Sequence, residues 1–288
     1  MAAVFFLTTA KTFAQVNLDD LRNKISNGSV EDKRNALLAI RNLRTKEASR
    51  IAVATLTDSD ELVRATAASA VVFLPKTEAE NHIIPLLGDK AEFVRVEAAF
   101  ALGRMADIGI PRFEIPGAPA ISALIQTLKH DKSGRVRSAA AEALGHFIDA
   151  SAIEALTSVL KTKPREQDEY LRRSAARSIG QSRQMNLTGK QEIATPQNFL
   201  PDKYKTKYCN SCPGSDFTVD IPADTVNTLL HVLQDPKEAE DTRREAAFAL
   251  GNLGEMSAVP VLRSFLNSPD KYLAEICKEA LIKLGQSH

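Results

Sequence analysis

The chain has no tryptophan, and aromatic residues are only 6% of its 288 residues. Small residues such as Ala must therefore do much of the packing, as close helix–helix contact requires. It also lacks a charge imbalance: 37 Lys plus Arg stand against 36 Asp plus Glu. Binding to a nucleic acid rests on a basic surface that neutralises phosphates, so no nucleic-acid partner is expected. No apolar run approaches the ~20 residues needed to span a bilayer, which excludes a transmembrane span. No stretch alternates with period two, so the fold class is all-α. Chemistry-bearing patterns are equally scarce. There is no Ser-His-Asp order, no glycine-rich phosphate loop and no His/Cys/Asp cluster at ligand spacing. Neither a catalytic set, a metal nor a cofactor is expected.

What is present is a phrase that returns about every 31 residues. Val94-Arg95-Val96-Glu97-Ala98-Ala99-Phe100-Ala101-Leu102-Gly103 recurs from Val136 to Gly145, from Leu171 to Gly180 and from Thr242 to Gly251. Weaker copies start at Val63 and Leu273. Such a period means stacked units, none of which buries its apolar face alone. In the third unit Val94, Ala98, Ala101, Leu102 and Met105 follow at helical spacing, and a shorter apolar helix precedes each phrase. Seven helical hairpins fit. Their first helices lie near 18–26, 46–57, 78–88, 119–129, 151–161, 223–234 and 257–267. Their second helices lie near 30–43, 60–74, 91–106, 134–148, 167–183, 239–253 and 271–284. The chain is thus read as an α-solenoid of about seven hairpins, five over 15–184 and two over 223–288. Two insertions interrupt the period, one over 106–119 and one over 185–222. An irregular insertion as long as the second is usually functional or disordered.

The layout resembles the HEAT repeat, in the short bacterial form also found in phycobilin lyases. The shared pattern is an apolar helix, an Asp turn, then Val-Arg-x-x-Ala-Ala-x-Ala-Leu-Gly. The resemblance implies a ladder of Arg and Asp between neighbouring repeats. Asp58, Asp89 and Asp131 each precede an Arg by six residues, and Asp at such a turn can cap the second helix. The Arg row comprises Arg64, Arg95, Arg137, Arg172 and Arg243 and is expected to be structural rather than anion-binding. In the last unit Ala274 replaces the Arg, as suits a terminal repeat.

Four aromatic residues are candidate partner contacts. Phe100 and Phe248 fill the middle x of Ala-Ala-x-Ala-Leu-Gly, where Glu142 and Arg177 stand in other units. Exposed there, they would anchor a partner; the competing reading packs each under a neighbouring helix or insertion. Tyr204 and Tyr208 belong to the long insertion. Within it, Cys209-Asn210-Ser211-Cys212 lacks the His of a haem attachment, a second ligand pair for zinc, and the βαβ setting of a redox site. If the chain is exported, a Cys209–Cys212 disulfide is the simplest outcome. Cys277 occupies the small inward position shared by Ala98 and Ala140, and is expected to be buried and inert. The first residues, apolar from Ala2 to Leu7 and ending Thr12-Phe13-Ala14, resemble the end of a secretory signal over 1–14. The expectation is an exported, periplasmic or secreted scaffold, monomeric and non-enzymatic, that binds a protein or peptide. The alternatives implied by the resemblance are a bilin-lyase-like enzyme or accessory factor and a nucleic-acid binder like the HEAT-fold DNA glycosylases; without export the chain is expected in the cytoplasm.

Overall fold

Local chemistry starts several of the second helices. Ser29 and Asp32 form a reciprocal capping box at the head of the helix Val30–Leu43. Asp60 accepts from the backbone N–H groups of Leu62 and Val63, Ser133 from that of Val136, and Asp270 from those of Tyr272 and Leu273. These acceptors satisfy donors that the helix leaves open at its N-terminus.

The structure, a computed structural model, describes residues 17–107, 118–188, 196–201 and 221–286. Among them are fourteen α-helices and no strand. They pair as hairpins: α1 Leu18–Asn27 with α2 Val30–Leu43, α3 Lys46–Ala52 with α4 Glu61–Ala70, α5 Lys76–Ile83 with α6 Glu92–Asp107, and α7 Ala118–His130 with α8 Gly134–Leu144. The remaining pairs are α9 Ala150–Leu160 with α10 Glu169–Thr188, α11 Ala223–Gln234 with α12 Glu240–Leu253, and α13 Val259–Ser264 with α14 Lys271–Lys283. Each pair is one repeat, and each even-numbered helix packs on the next even-numbered helix. The expected all-α solenoid of seven hairpins is thus observed. Short 3-10 turns extend α3, α4 and α5.

One continuous core runs through the stack. In the second helices it is built from aliphatic residues such as Val63, Val94, Leu102, Val136, Leu144, Ile179 and Leu250, all essentially buried. One register position is small throughout: Ala67, Ala98, Ala140, Ala175, Ala246 and Cys277 are fully buried. Burial pushes the Cys277 thiol up to about 12, so it behaves as a small apolar side chain.

The Ala-Leu-Gly ending of the phrase has a specific use. A methyl group on Gly103 would lie 3.0 Å from Ala143 Cα, and one on Gly145 would lie 2.8 Å from Ser178 Cβ. On Gly180 it would meet Ala249 Cα at 2.8 Å, and on Gly251 it would meet Ala280 Cα at 2.7 Å. The Gly of one repeat therefore seats directly on the Ala (or Ser) two places earlier in the next repeat's phrase. Second helices approach one another closely through these steps.

The long insertion starts later than expected. Helix α10 continues to Thr188, so Met185 to Thr188 belong to the repeat. Farther on, 196–201 reach the last repeat. Asn198 Nδ2 donates to Glu275 Oε2 at 2.7 Å, and the Phe199 and Tyr272 rings lie 4.7 Å apart between centroids. Residues Asn198 and Phe199 thus lie against repeat 7.

Candidate recognition surface

The Arg row forms a ladder along the hairpin turns. Arg64 Nη1 donates to the carbonyl oxygens of Asp58 and Ser59, while Nε and Nη2 grip Asp89 of the next repeat at 2.8 and 2.9 Å. Arg95 repeats this with Asp89 O, Lys90 O and, at 2.7 and 3.1 Å, Asp131. Arg172 binds carbonyls at the end of α9 and reaches Glu238 at 2.9 Å through Nε. The turn aspartates do not cap the helices as expected. Asp58, Asp89 and Asp131 each accept instead from the backbone N–H two residues on. This Asx geometry leaves the rest of the carboxylate for the preceding repeat's cation. Lys33 hydrogen-bonds Asp58, and Arg64 hydrogen-bonds Asp89, holding both carboxyls below the usual carboxylate range. Burial works against ionisation of Asp131, but the Arg95 bond, the Ser133 N–H and the charges of Arg95 and Lys132 together outweigh it and hold the carboxyl below its usual range.

Two ends of the ladder depart from the pattern. Lys33 supplies the first rung, bonding Asp58 at 2.7 Å. At the last interface Arg243 finds only the Leu233 carbonyl, at 3.0 Å, and the Phe265 ring; Arg244 takes over, binding Asp270 at 2.8 Å. The guanidinium groups of Arg64, Arg95 and Arg172 are buried and fully engaged, which fits a structural role.

The solvent-facing stripe of the second helices is a different surface. A helix turns 100° per residue, so positions two, nine and thirteen after the cap share one side. In repeats 1 to 3 this stripe carries Leu38, Leu62, Phe93 and Phe100. Leu38 and Leu62 are exposed, Phe93 is 43% exposed, and Phe100 is half-buried against the core. At its far end stands Arg104, with Arg41 of α2, one residue short of that position, near enough to act on it electrostatically. The Nε and Nη2 atoms of Arg104 are buried without a hydrogen-bond partner, with Glu97 no nearer than 3.9 Å. Burial first, and Arg41 also, push the Arg104 guanidinium below its ordinary value.

In repeats 4 to 7 the same stripe is largely cross-linked within the array, although Tyr170 and Tyr272 are about half exposed. Tyr170 and Ser174 donate to Glu142 Oε1 at 2.7 and 3.0 Å, Arg173 to Asp241 at 3.0 Å, and Arg177 Nε to Glu245 at 2.8 Å. Phe248 is only 6% exposed. Its ring carbons lie against Gly180 of α10, and Lys283 of α14 sits over the ring at 5.0 Å. Phe248 is therefore no exposed anchor, contrary to the partner-contact expectation: helices on either side enclose it.

Comparison with known proteins decides the family. The family model for HEAT repeats matches residues 121–191 and 221–287, and that for a HEAT-like repeat matches 92–147. The chain is a HEAT-repeat protein. No curated protein sequence matches it. Among solved structures, YibA of E. coli is 20% identical over 94% of this chain and 93% of its own, with a TM-score of 0.51. A designed armadillo repeat protein in complex with the peptide (KR)4 is 15% identical over 93% and 99%, with a TM-score of 0.46. Human deoxyhypusine hydroxylase in complex with glycerol is 17% identical over 93% and 84%, with a TM-score of 0.39. The likeness to YibA shows the fold.

Within this HEAT array, the structure brings Phe100 onto the exposed stripe and removes Phe248 from it. Tyr204, Tyr208, Cys209, Cys212 and the signal-like segment 1–14 lie outside the described residues. Leu38, Leu62 and Phe93 were not among the sequence candidates. Phe93 stands just before the phrase rather than in it, and Leu38 lies in a helix that lacks the phrase. No helix among the described residues is long and apolar enough to cross a membrane.

Proposed function

We propose that this HEAT-repeat protein is a non-enzymatic scaffold that binds a partner protein through an apolar segment carrying a carboxylate. The segment lies along the second helices of repeats 1 to 3. The observation that carries this reading is the open stripe of Leu38, Leu62, Phe93 and Phe100, ending at a half-buried Arg104 whose Nε and Nη2 atoms are buried without a hydrogen bond. Apolar side chains of the partner cover the stripe, and its carboxylate supplies the acceptors that Arg104 lacks. Repeat stacking holds the stripe in place before binding, which limits the entropy lost on association. The N-terminal sequence up to Ala14 supports action outside the cytoplasm, with cleavage after that residue; N-terminal sequencing of the protein from the cell envelope tests this.

The recognition test is selection of peptides from a random displayed library against the full chain. The selected peptides are then measured on Phe93→Glu and, as a control on α13, Arg263→Glu. Apolar-acidic sequences should be enriched, and Phe93→Glu should weaken them by about tenfold or more, equivalent to ~1.4 kcal/mol or more. Peptides that bind both variants as well as the parent would overturn the reading.

A further inference from the structure

The rung between repeats 4 and 5 is the loose one. Arg137 approaches Asp168 only to 3.6 Å, and its side chain is 25% exposed, against 7% and 6% for Arg64 and Arg95. Its guanidinium donates one hydrogen bond, from Nη1 to Asp131 O at 3.0 Å. The cause lies in the next hairpin. Five residues separate Leu160 of α9 from the 3-10 turn Glu166–Asp168 that leads into α10, whereas three separate α7 from α8 and three separate α6 from the 3-10 turn after α5. The longer turn stands off from Arg137 and opens a cleft of about 290 Å³.

The lining of that cleft is one-sided. Lys129, Arg137, Lys163 and Arg165 border it, and Asp168 is its single carboxylate. Arg172 also borders it but is bound to Glu238. Lys129, Lys163 and Arg165 are exposed, and the floor includes the apolar Leu128 and Val159. Four cations around one carboxylate leave an excess that one further carboxylate would not balance. A tetrahedral dianion offsets more of that excess than a carboxylate does, and brings several acceptor oxygens for the guanidinium and ammonium donors. The apolar floor suits the carbon stem that bears such a group.

We propose that this cleft binds a phosphate-class dianion. Arg137 supplies the inner donors, freed from their poor approach to Asp168, and Lys129, Lys163 and Arg165 close over the outer oxygens. The site lies at the hairpin turns, apart from the apolar stripe, and does not depend on what that stripe binds. The anion is either a free phosphate compound or a phosphorylated side chain on a partner.

Calorimetric titration of the full chain at low salt tests the proposal, with inorganic phosphate in one arm and a Gly/Ser-flanked phosphoserine peptide in the other. The unphosphorylated peptide is the control. The variant is Lys163→Glu with Arg165→Glu, both in an exposed turn, and its melting is checked for an unchanged midpoint. Saturable binding of at least one phosphate probe is expected, weakened by about tenfold or more in the variant, as loss of charge-assisted bonds implies. Tighter binding of the peptide assigns the site to a phosphorylated partner, and equal binding assigns it to a free anion. Failure of both probes to saturate, binding undiminished in the variant, or equal binding of the unphosphorylated peptide would overturn the proposal.

Discussion

Replacing Gly180 with Ala pits helix propensity against packing. Gly180 is interior to α10, where Ala is normally favoured by about 1 kcal/mol. The added methyl would lie 2.8 Å from Ala249 Cα and 3.0 Å from two ring carbons of Phe248. Ordinary carbon contacts are about 3.5–4.0 Å, so α12 would have to retreat by most of an ångström. The nearest obstacle is backbone, and the bond from Arg177 to Glu245 ties the same two helices together. Overpacking of this kind costs about 1–3 kcal/mol, and a backbone obstacle puts Gly180 at the upper end. Net destabilisation of about 2 kcal/mol is expected once the propensity gain is subtracted. Gly88→Ala is the control, because nothing lies within 4 Å of the added methyl. That change should be neutral or stabilising by up to ~1 kcal/mol through the unfolded chain. Urea denaturation followed by circular dichroism compares the two. Interface weakening should also broaden the transition, since neighbouring repeats stabilise each other. A Gly180→Ala protein as stable as the parent would refute the close-approach account of the phrase.

Three further outcomes follow from the same geometry. Arg95→Ala should cost about 3–5 kcal/mol in the same denaturation assay, because it strands the largely buried Asp131 and two turn carbonyls; the exposed Arg135→Ala should cost under about 1 kcal/mol, and equal effects would show the ladder to be inert. Asp58, Asp89 and Asp131 have folded-state pKa values below their unfolded ones, so their contribution is complete above about pH 4–5 and is lost as pH falls through the depressed values. Urea midpoints that stay flat from pH 7 to pH 3 would contradict it. Cys277, with its thiol pushed up to about 12, should resist alkylation in the native protein and react only in denaturant, as peptide mapping by mass spectrometry will show.

The hairpins were legible in sequence because each unit carries its own helical period and turn signal. So was the Arg–Asp spacing of six, which the structure uses as a bond from the guanidinium to the turn carbonyl. What escaped the sequence depends on partners far away in the chain. Phe248 is enclosed by α10 and α14, Arg172 finds Glu238 across 66 residues, and Asn198 finds Glu275 across 77. No local pattern encodes such pairings. Lys33 was missed as a rung because its helix lacks the Ala-Ala-x-Ala-Leu-Gly phrase, and only the distance from its cap reveals the register. The end of α10 was misplaced because Gln181 to Gln184 interrupt the apolar period just where the helix still runs. The open stripe was half visible: the phrase exposed Phe100, but Leu62 and Phe93 lie one residue before it.

Site-specific photocrosslinking tests the recognition surface most directly. A benzophenone amino acid is placed at Phe93 on α6 and, separately, at Arg263 on α13, and each protein is irradiated with an apolar-acidic peptide selected against the parent chain. A covalent adduct from position 93, absent at position 263 and abolished by excess unlabelled peptide, is the predicted result. Adduct formation at 263 with none at 93 would contradict the account and move recognition off the second helices of repeats 1 to 3.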